Sequence, residues 1–256
     1  MEGEPEVTSR VQFDTTPSSS TVGYGHVAVI PPRRVTGIPR LDQVWLDRFA
    51  QVNSTDVADK IGPLYAMSPD IGPLYQPIRR LVGQALTVKA VPGDSLAVHG
   101  ALSMVQPGDV IVVDWRGYDR ACAGGSNILK LPAERGLRGV VIDGAWRDLD
   151  ESQEVDFPIF GRARNPHSPP KRRPGEINVP VACGGVVVEP GDLVVADSEG
   201  VVIVPRKHVA AVWDAVDSAP AHPWTAAEVE TAHDKRTAAY QGAFAAASGH
   251  EAVWTE

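Results

Sequence analysis

Arg147 and Asp148 stand side by side in VVIDGAWRDLDE, residues 140–151, just beyond a run of β-branched residues. A planar guanidinium can grip a carboxylate through two hydrogen bonds, which a lysine does with less direction. A carboxylate is the hard oxygen donor that Mg or Mn prefers. Facing one cleft, the two side chains would suit an anionic, metal-chelating substrate. The same dipeptide also reads as an ordinary surface ion pair worth ~0–1 kcal/mol. Its position favours the first reading, because sites are commonly built from loops at strand ends.

A second candidate precedes it in ACAGGSNILKLPAERGLRG, residues 121–139. Gly124 and Gly125 lead into a helix expected over 126–136, whose free N–H groups near Ser126 and Asn127 would face a bound anion. The glycines can equally be read as turning the chain, with Ser126 as a cap. The glycine loop and Arg147 fall at the same end of the layer if the strands before them are parallel neighbours. Lys130, one helical turn past the loop, is poorly placed for a Schiff base. Asp143, followed by a glycine, is read as a tight Asp-Gly turn.

These residues need a scaffold, and the chain supplies short Val-rich runs at 85–91, 109–115, 139–143, 158–161, 181–189 and 192–205. Bounded by Pro, Gly and Asp, such runs read as strands, with helices between them near 95–105 and 126–136. PGDVIVVDWRG (107–117) and PGDLVVADSEG (190–200) align without gaps. Two such units suggest a compact α/β domain of two facing sheets with outer helices, rather than a doubly wound sheet or a TIM barrel. Upstream, apolar spacing from Leu41 predicts a helix, and STDVADKIG predicts another, capped by Ser54 or Thr55. The decapeptide echo IGPLYAMSPD/IGPLYQPIRR, residues 61–80, contains prolines and reads as a loop. Three segments follow: an irregular N-terminal arm at 1–36, a catalytic domain at 37–205 and a helical extension at 206–256. The last includes RKHVAAVWDAVDSA and an Ala-rich helix opening on a Thr225-x-x-Glu228 capping box.

Composition narrows the functional classes. With 43% hydrophobic and 22% charged residues among 256, the chain has the makeup of an ordinary globular protein. A formal charge of -8 argues against nucleic acid, since Lys171-Arg172-Arg173 is the only dense basic cluster. Cys122 and Cys183 have no metal-site or disulfide-framework spacing. No apolar run approaches the ~20 residues that span a bilayer. MEGEPE carries no basic n-region of a signal peptide, so a cytoplasmic location is expected.

Taken together, AGGSNI, RGLRGVVIDGAWRD and PGEINVPVACGGVVVEPGDLVVADSEGVVIVP resemble the RraA-like family over about residues 54–205. That family includes 4-hydroxy-4-methyl-2-oxoglutarate and 4-carboxy-4-hydroxy-2-oxoadipate aldolases, and the regulator of ribonuclease E activity. The resemblance implies a layered β/β/α core and a homotrimer or homohexamer. It also implies that Arg147 binds a pyruvyl carboxylate, Asp148 holds Mg or Mn partly through waters, and the amides of Gly124, Gly125, Ser126 and Asn127 seat the pyruvyl group. Some aldolases carry an acid where this chain has Gly125, which leaves the acid/base role open.

The implied chemistry is cleavage of a 4-hydroxy-2-oxo acid to pyruvate, with the enolate stabilised by a chelated metal. Oxaloacetate decarboxylation passes through the same enolate. Candidates for the proton are Asp59, Asp119 and Arg120. Glu230 or Asp234 of a neighbouring subunit, and His167 in a loop that could cover the cleft, are further ones. The alternatives are a non-catalytic, protein-binding regulator, or a diverged biosynthetic enzyme using the same enolate chemistry on another acid.

Overall fold

A computed structural model describes residues 31–218 and 225–248. The strands are β1 Gly72–Pro73, β2 Leu81–Lys89, β3 Asp109–Cys122, β4 Gly139–Trp146 and β5 Ile159–Arg164, followed by β6 Glu176–Ile177, β7 Val181–Cys183, β8 Val186–Val188, β9 Leu193–Asp197 and β10 Gly200–Val204. The helices are α1 Gln43–Phe49, α2 Ser54–Ile61, α3 Leu96–Leu102, α4 Lys130–Glu134, α5 Leu149–Glu154, α6 Val209–Asp217 and α7 Ala226–Ser248. No helix among the described residues is long and apolar enough to cross a membrane.

Strands β2, β3, β4 and β5 run parallel in chain order, joined by crossovers that carry α3, α4 and α5. Antiparallel strands extend this unit at both edges, giving the order β1-β5-β4-β3-β2-β9-β10, with β6 paired to β2. The sheet is nearly closed. Ala66 bridges Val202 on β10 while Gly72 and Pro73 pair with β5, so the segment at 66–73 ties one edge to the other.

Side-chain alternation divides the strands between two cores. On β3 and β4, Ile111, Val113, Val140 and Ile142 face the side covered by α3, α4 and α5. Val110, Val112 and Val141 face the other side, where they meet Val181, Cys183, Val186 and Val188 of the β7–β8 hairpin. The two facing sheets are thus an eight-stranded sheet and a two-stranded one. The single run read at 192–205 folds back on itself as the β9–β10 hairpin, with Val201 opposite Ala196.

Several local expectations change. The helix expected over 126–136 is a 3₁₀ turn at Ser126–Ile128 followed by the five-residue α4. Pro132 has no N–H and is tolerated only in a first turn, so the α-helix must start near it. Asp143 is not in a turn. It lies buried within β4, where its Oδ1 accepts a hydrogen bond from Arg162 Nε at 2.8 Å and forms an ion pair with Nη2 at 2.8 Å. Its Oδ2 accepts from the Gly184 N–H at 3.2 Å, which pins the β7–β8 turn to β4. The cap of α2 is Asn53 rather than Ser54 or Thr55, and Ser54 instead donates to Asp197 through its N–H and hydroxyl.

The described residues form two compact units, divided between Val216 and Asp217. The boundary falls later than residue 205 because Val209, Val212 and Val216 of α6 are buried with Leu46, Phe49, Val57, Val195 and Val204. In the second unit, the Thr225 N–H donates to Glu228 Oε2 at 2.8 Å and the Glu228 N–H donates to Thr225 Oγ1 at 3.3 Å, completing the expected capping box. Of the N-terminal arm, residues 1–30 lie outside the described residues, while Val35 donates to the Ile177 carbonyl at 3.1 Å.

Phe160 is fully buried on β5 among Val141, Val186 and Val194. Phe160→Ala is expected to cost about 3–5 kcal/mol through lost transfer energy and the residual cavity. A lower urea midpoint at unchanged slope checks this; an unchanged midpoint contradicts the assigned core.

Candidate functional site

The site lies where β3 and β4 end. The two strands pair in parallel, with Val110 opposite Gly139 and Val113 opposite Ile142, so the loops leaving them emerge at the same end of the sheet. The glycine loop follows β3, and Arg147 and Asp148 follow β4. Backbone bonds sew them together: Ala123 N–H donates to Ala145 O at 2.9 Å, and Arg147 N–H donates to Gly124 O at 3.2 Å.

This approach leaves no room for side chains on the loop. A Cβ on Gly124 would overlap the Trp146 ring, and one on Gly125 would overlap Asp148 Oδ2. Gly125 adopts extended φ and ψ, so its role is steric rather than conformational. The space that an acidic side chain at position 125 would need is taken by the carboxylate of Asp148.

Asp148 has left-handed backbone angles, φ 56° and ψ 44°, and immediately precedes α5. Such a conformation costs a non-glycine residue of order 1–3 kcal/mol and tends to persist at functional sites. An aspartate at this position usually caps its helix. Here it makes no side-chain cap bond; the carboxylate turns back over Gly125 and remains part-exposed.

Arg147 Nη1 donates to Pro166 O at 3.1 Å, and its Nε lies 3.5 Å from Asp148 Oδ2. The local ion pair is therefore present, but it engages one side of the guanidinium. Nη2 has no protein partner among the described residues, so part of the five-donor fork is available to an anion. The N–H groups of Gly125, Ser126 and Asn127 likewise have no protein acceptor among the described residues. Because the following 3₁₀ turn and α4 are short, these individual donors matter more than a helix dipole.

Ser126 is buried, and its hydroxyl donates a hydrogen bond to Glu151 Oε2. Sequence reasoning gave Glu151 no role, although its three-residue spacing from Asp148 places both on one side of the first turn of α5. Beside this pair, Ser126, Lys130, Ala133, Glu151, Val155 and Phe157 help line a cleft of about 390 Å³ between α4 and α5. Burial pushes the Cys122 thiol above its usual range despite the opposing charge of Arg147, which disfavours a thiolate nucleophile there.

The other candidates are dispersed. Asp59 is exposed on α2, which packs against β9 and β10. Ser54 at the start of that helix binds Asp197 at the end of β9, and neighbouring Ala196 sits opposite Leu81, the first residue of β2. Asp59 is therefore at the opposite end of the sheet from Arg147. Asp119 and Arg120 are exposed on the last part of β3, and Lys130 is exposed on the cleft wall. His167 is exposed, and its carbonyl accepts from the Cys122 N–H at 2.8 Å, holding the loop at 165–170 against β3. Glu230 and Asp234 lie on α7 in the second unit.

No group of three or more His, Cys, Asp or Glu suited to a metal occurs among the described residues. The donors fit a divalent cation of the Mg or Mn type, which binds through one or two carboxylates and completes its shell with water and substrate oxygens. Asp148 is the carboxylate here that could serve, since it is part-exposed and held only by Arg147 Nε at 3.5 Å, whereas Glu151 is engaged by Ser126.

Two substitutions separate the glycine contacts. Gly125→Ala is expected to displace the Asp148 carboxylate and weaken Mn binding at least about tenfold with little loss of fold, since the clash is with a part-exposed side chain. Gly124→Ala must push against the buried Trp146 and is expected to destabilise the protein by about 1–3 kcal/mol. Mn titration together with thermal unfolding checks both; equal effects of the two substitutions on both readouts would contradict the geometry.

The family model described as "RraA-like: Aldolase/RraA" matches residues 54–203. A Halalkalibacterium halodurans protein named "Putative 4-hydroxy-4-methyl-2-oxoglutarate aldolase" is 38% identical over 162 residues, covering 63% of this chain and 77% of that protein. Streptomyces coelicolor RraAS2, described as an unusual member of the RNase ES inhibitor RraA protein family, has a similar structure. Its TM-score is 0.62 at 30% identity, over 70% of this chain and 94% of that one. The RNA-processing inhibitor RraA from Thermus thermophilis gives a TM-score of 0.55 at 30% identity, over 60% and 93% of the two chains. Because the matched residues run from α2 into β10, and so contain the parallel strands, the glycine loop and the Arg147–Asp148 turn, the chain belongs to the RraA-like family.

Proposed function

We propose that the protein is a lyase of the aldolase type, cleaving a 4-hydroxy-2-oxo acid to pyruvate, with oxaloacetate decarboxylation as a related activity. The observation that carries this reading is the convergence of three free loop amides, one side of the Arg147 guanidinium and the Asp148 carboxylate at the shared end of β3 and β4. Similarity to the Halalkalibacterium protein supports it.

In this reading Arg147 holds the substrate carboxylate through paired, charge-assisted hydrogen bonds, and its contact with Pro166 fixes the angle of the fork. The amides of Gly125, Ser126 and Asn127 orient the oxo-acid end without adding side-chain bulk. Asp148 would hold Mg or Mn, which when bound supplies positive charge opposite the 2-oxo and carboxylate oxygens. Cleavage removes the C4 hydroxyl proton, breaks the C3–C4 bond and leaves its electron pair as the pyruvate enolate; protonation at C3 completes pyruvate. Within one chain Asp59 is at the wrong end of the sheet to take that proton, so its involvement requires a neighbouring copy.

A homotrimer or homohexamer forms part of the proposal. Leu64, Leu131, Val155 and Val187 are each more than half exposed in the single chain, and subunit contacts would cover such side chains. Light scattering is expected to give a multiple of 27.3 kDa, and a 27.3 kDa particle at micromolar concentration would contradict assembly. The likeness to RraA proteins favours a second reading, a protein-binding regulator without catalysis.

Pyruvate release from a panel of 4-hydroxy-2-oxo acids and oxaloacetate, with Mg, with Mn and with chelator, distinguishes the readings. Metal-dependent release is expected, and its absence across the panel supports the regulator. Asp148→Asn is expected to stay folded, because Asn also tolerates left-handed angles, and to lose most metal-dependent turnover. Arg147→Lys keeps the charge but loses the fork, so kcat/KM is expected to fall at least about tenfold. Arg147→Ala is expected to do worse and to weaken binding of oxalate, a planar mimic of the enolate. Oxalate bound as tightly as by wild type would place the carboxylate elsewhere.

A further inference from the structure

We infer that Glu151 is a positioning residue that locks the glycine loop onto the Arg147–Asp148 turn. Asp148-x-x-Glu151 has the spacing of a helix-capping box, in which both side chains would bond to the helix's own backbone N–H groups. Neither is used in that way. Asp148 makes no side-chain cap bond and its carboxylate lies over Gly125, while Glu151 reaches across the cleft between α5 and α4 to the Ser126 hydroxyl.

That hydroxyl belongs to the middle residue of the segment whose three N–H groups have no protein acceptor among the described residues. The 3₁₀ turn after it is held by two backbone bonds, Ile128 N–H to Gly125 O at 3.3 Å and Leu129 N–H to Ser126 O at 3.0 Å. Beyond the Ala123 N–H to Ala145 O bond, two ties join the loop to the β4–α5 segment. One is the Arg147 N–H to Gly124 O bond before the free amides, and the other is Ser126–Glu151 within them. An exposed carboxylate anchoring a buried hydroxyl fixes where the amides point relative to Arg147. Glu151 thus acts through Ser126, and its removal should affect anion binding more than folding.

This inference rests on the proposed oxo-acid site, and calorimetric titration of the full chain with oxalate in the presence of Mg tests it. Glu151→Ala and Ser126→Ala are each expected to weaken oxalate about tenfold, and the double variant no further, because both singles break one shared contact. Glu151→Gln, whose amide oxygen still accepts the Ser126 proton, is expected to stay within about threefold of wild type. With a turned-over oxo acid, KM should rise more than kcat falls, at nearly unchanged melting temperatures. Should Glu151→Ala fail to fold, Ser126→Ala together with Glu151→Gln carries the same comparison. Folded single variants that bind oxalate like wild type, or a double variant whose loss is the product of the two, overturn the positioning role alone. A wild-type protein that binds no oxalate overturns the oxo-acid site and this inference with it.

Discussion

The parallel pairing of β3 with β4 is the constraint on which the site depends. A strand pair of this kind brings equivalent ends together, so the segment after Cys122 and the segment after Trp146 have to share one end of the sheet. Their separation is then set by what stands between them. With Gly124 against the Trp146 ring and Gly125 against the Asp148 carboxylate, any Cβ would force the loops apart. Close approach, rather than turning, is what those two glycines provide.

Close approach also accounts for the unusual state of α5. A six-residue helix gains little from its own hydrogen bonds and depends on caps and packing. Here the residue before it adopts left-handed angles and turns its carboxylate away from the helix. The cost is offset by burial around it: Leu149 and Phe157 join the core beneath, and Ser152 donates through its N–H and hydroxyl to the Asp148 carbonyl at 3.2 and 3.0 Å. The backbone of Asp148 is held so that its side chain makes no bond to its own helix and faces Gly125 and Arg147 instead.

The opposite face of the sheet supports the same strands by other means. Asp143 on β4 draws together Arg162 on β5 and the β7–β8 turn, and Arg162 also donates to Asp70 at 2.7 Å. One buried carboxylate thus links three segments far apart in sequence. The Arg162 hydrogen bond in turn holds the Asp70 carboxyl below its usual range. Helices cover one face and a hairpin covers the other, so β4 is fully buried and its C-terminal end is fixed from both sides.

The sequence by itself determined the Val-rich strands and the capping box at Thr225, and it singled out the Gly-Gly and Arg-Asp segments as candidates for chemistry. Those features depend on side-chain alternation, local hydrogen bonding and residue chemistry, which act over a few positions. What it left open depended on contacts between distant segments. Asp143 reads locally as a turn former, yet Arg162 and Gly184 satisfy its carboxylate inside a strand. Val209, Val212 and Val216 read as an appended helix, yet their apolar face completes the core under β9 and β10. Asp59 has a suitable side chain but sits at the far end of the sheet, whereas Glu151, in plain view beside Asp148, gains a partner only when β4 is laid against β3. Tertiary structure decided these assignments because a buried carboxylate or an apolar face takes its meaning from the partner that satisfies it, and the chain brings that partner from tens of residues away.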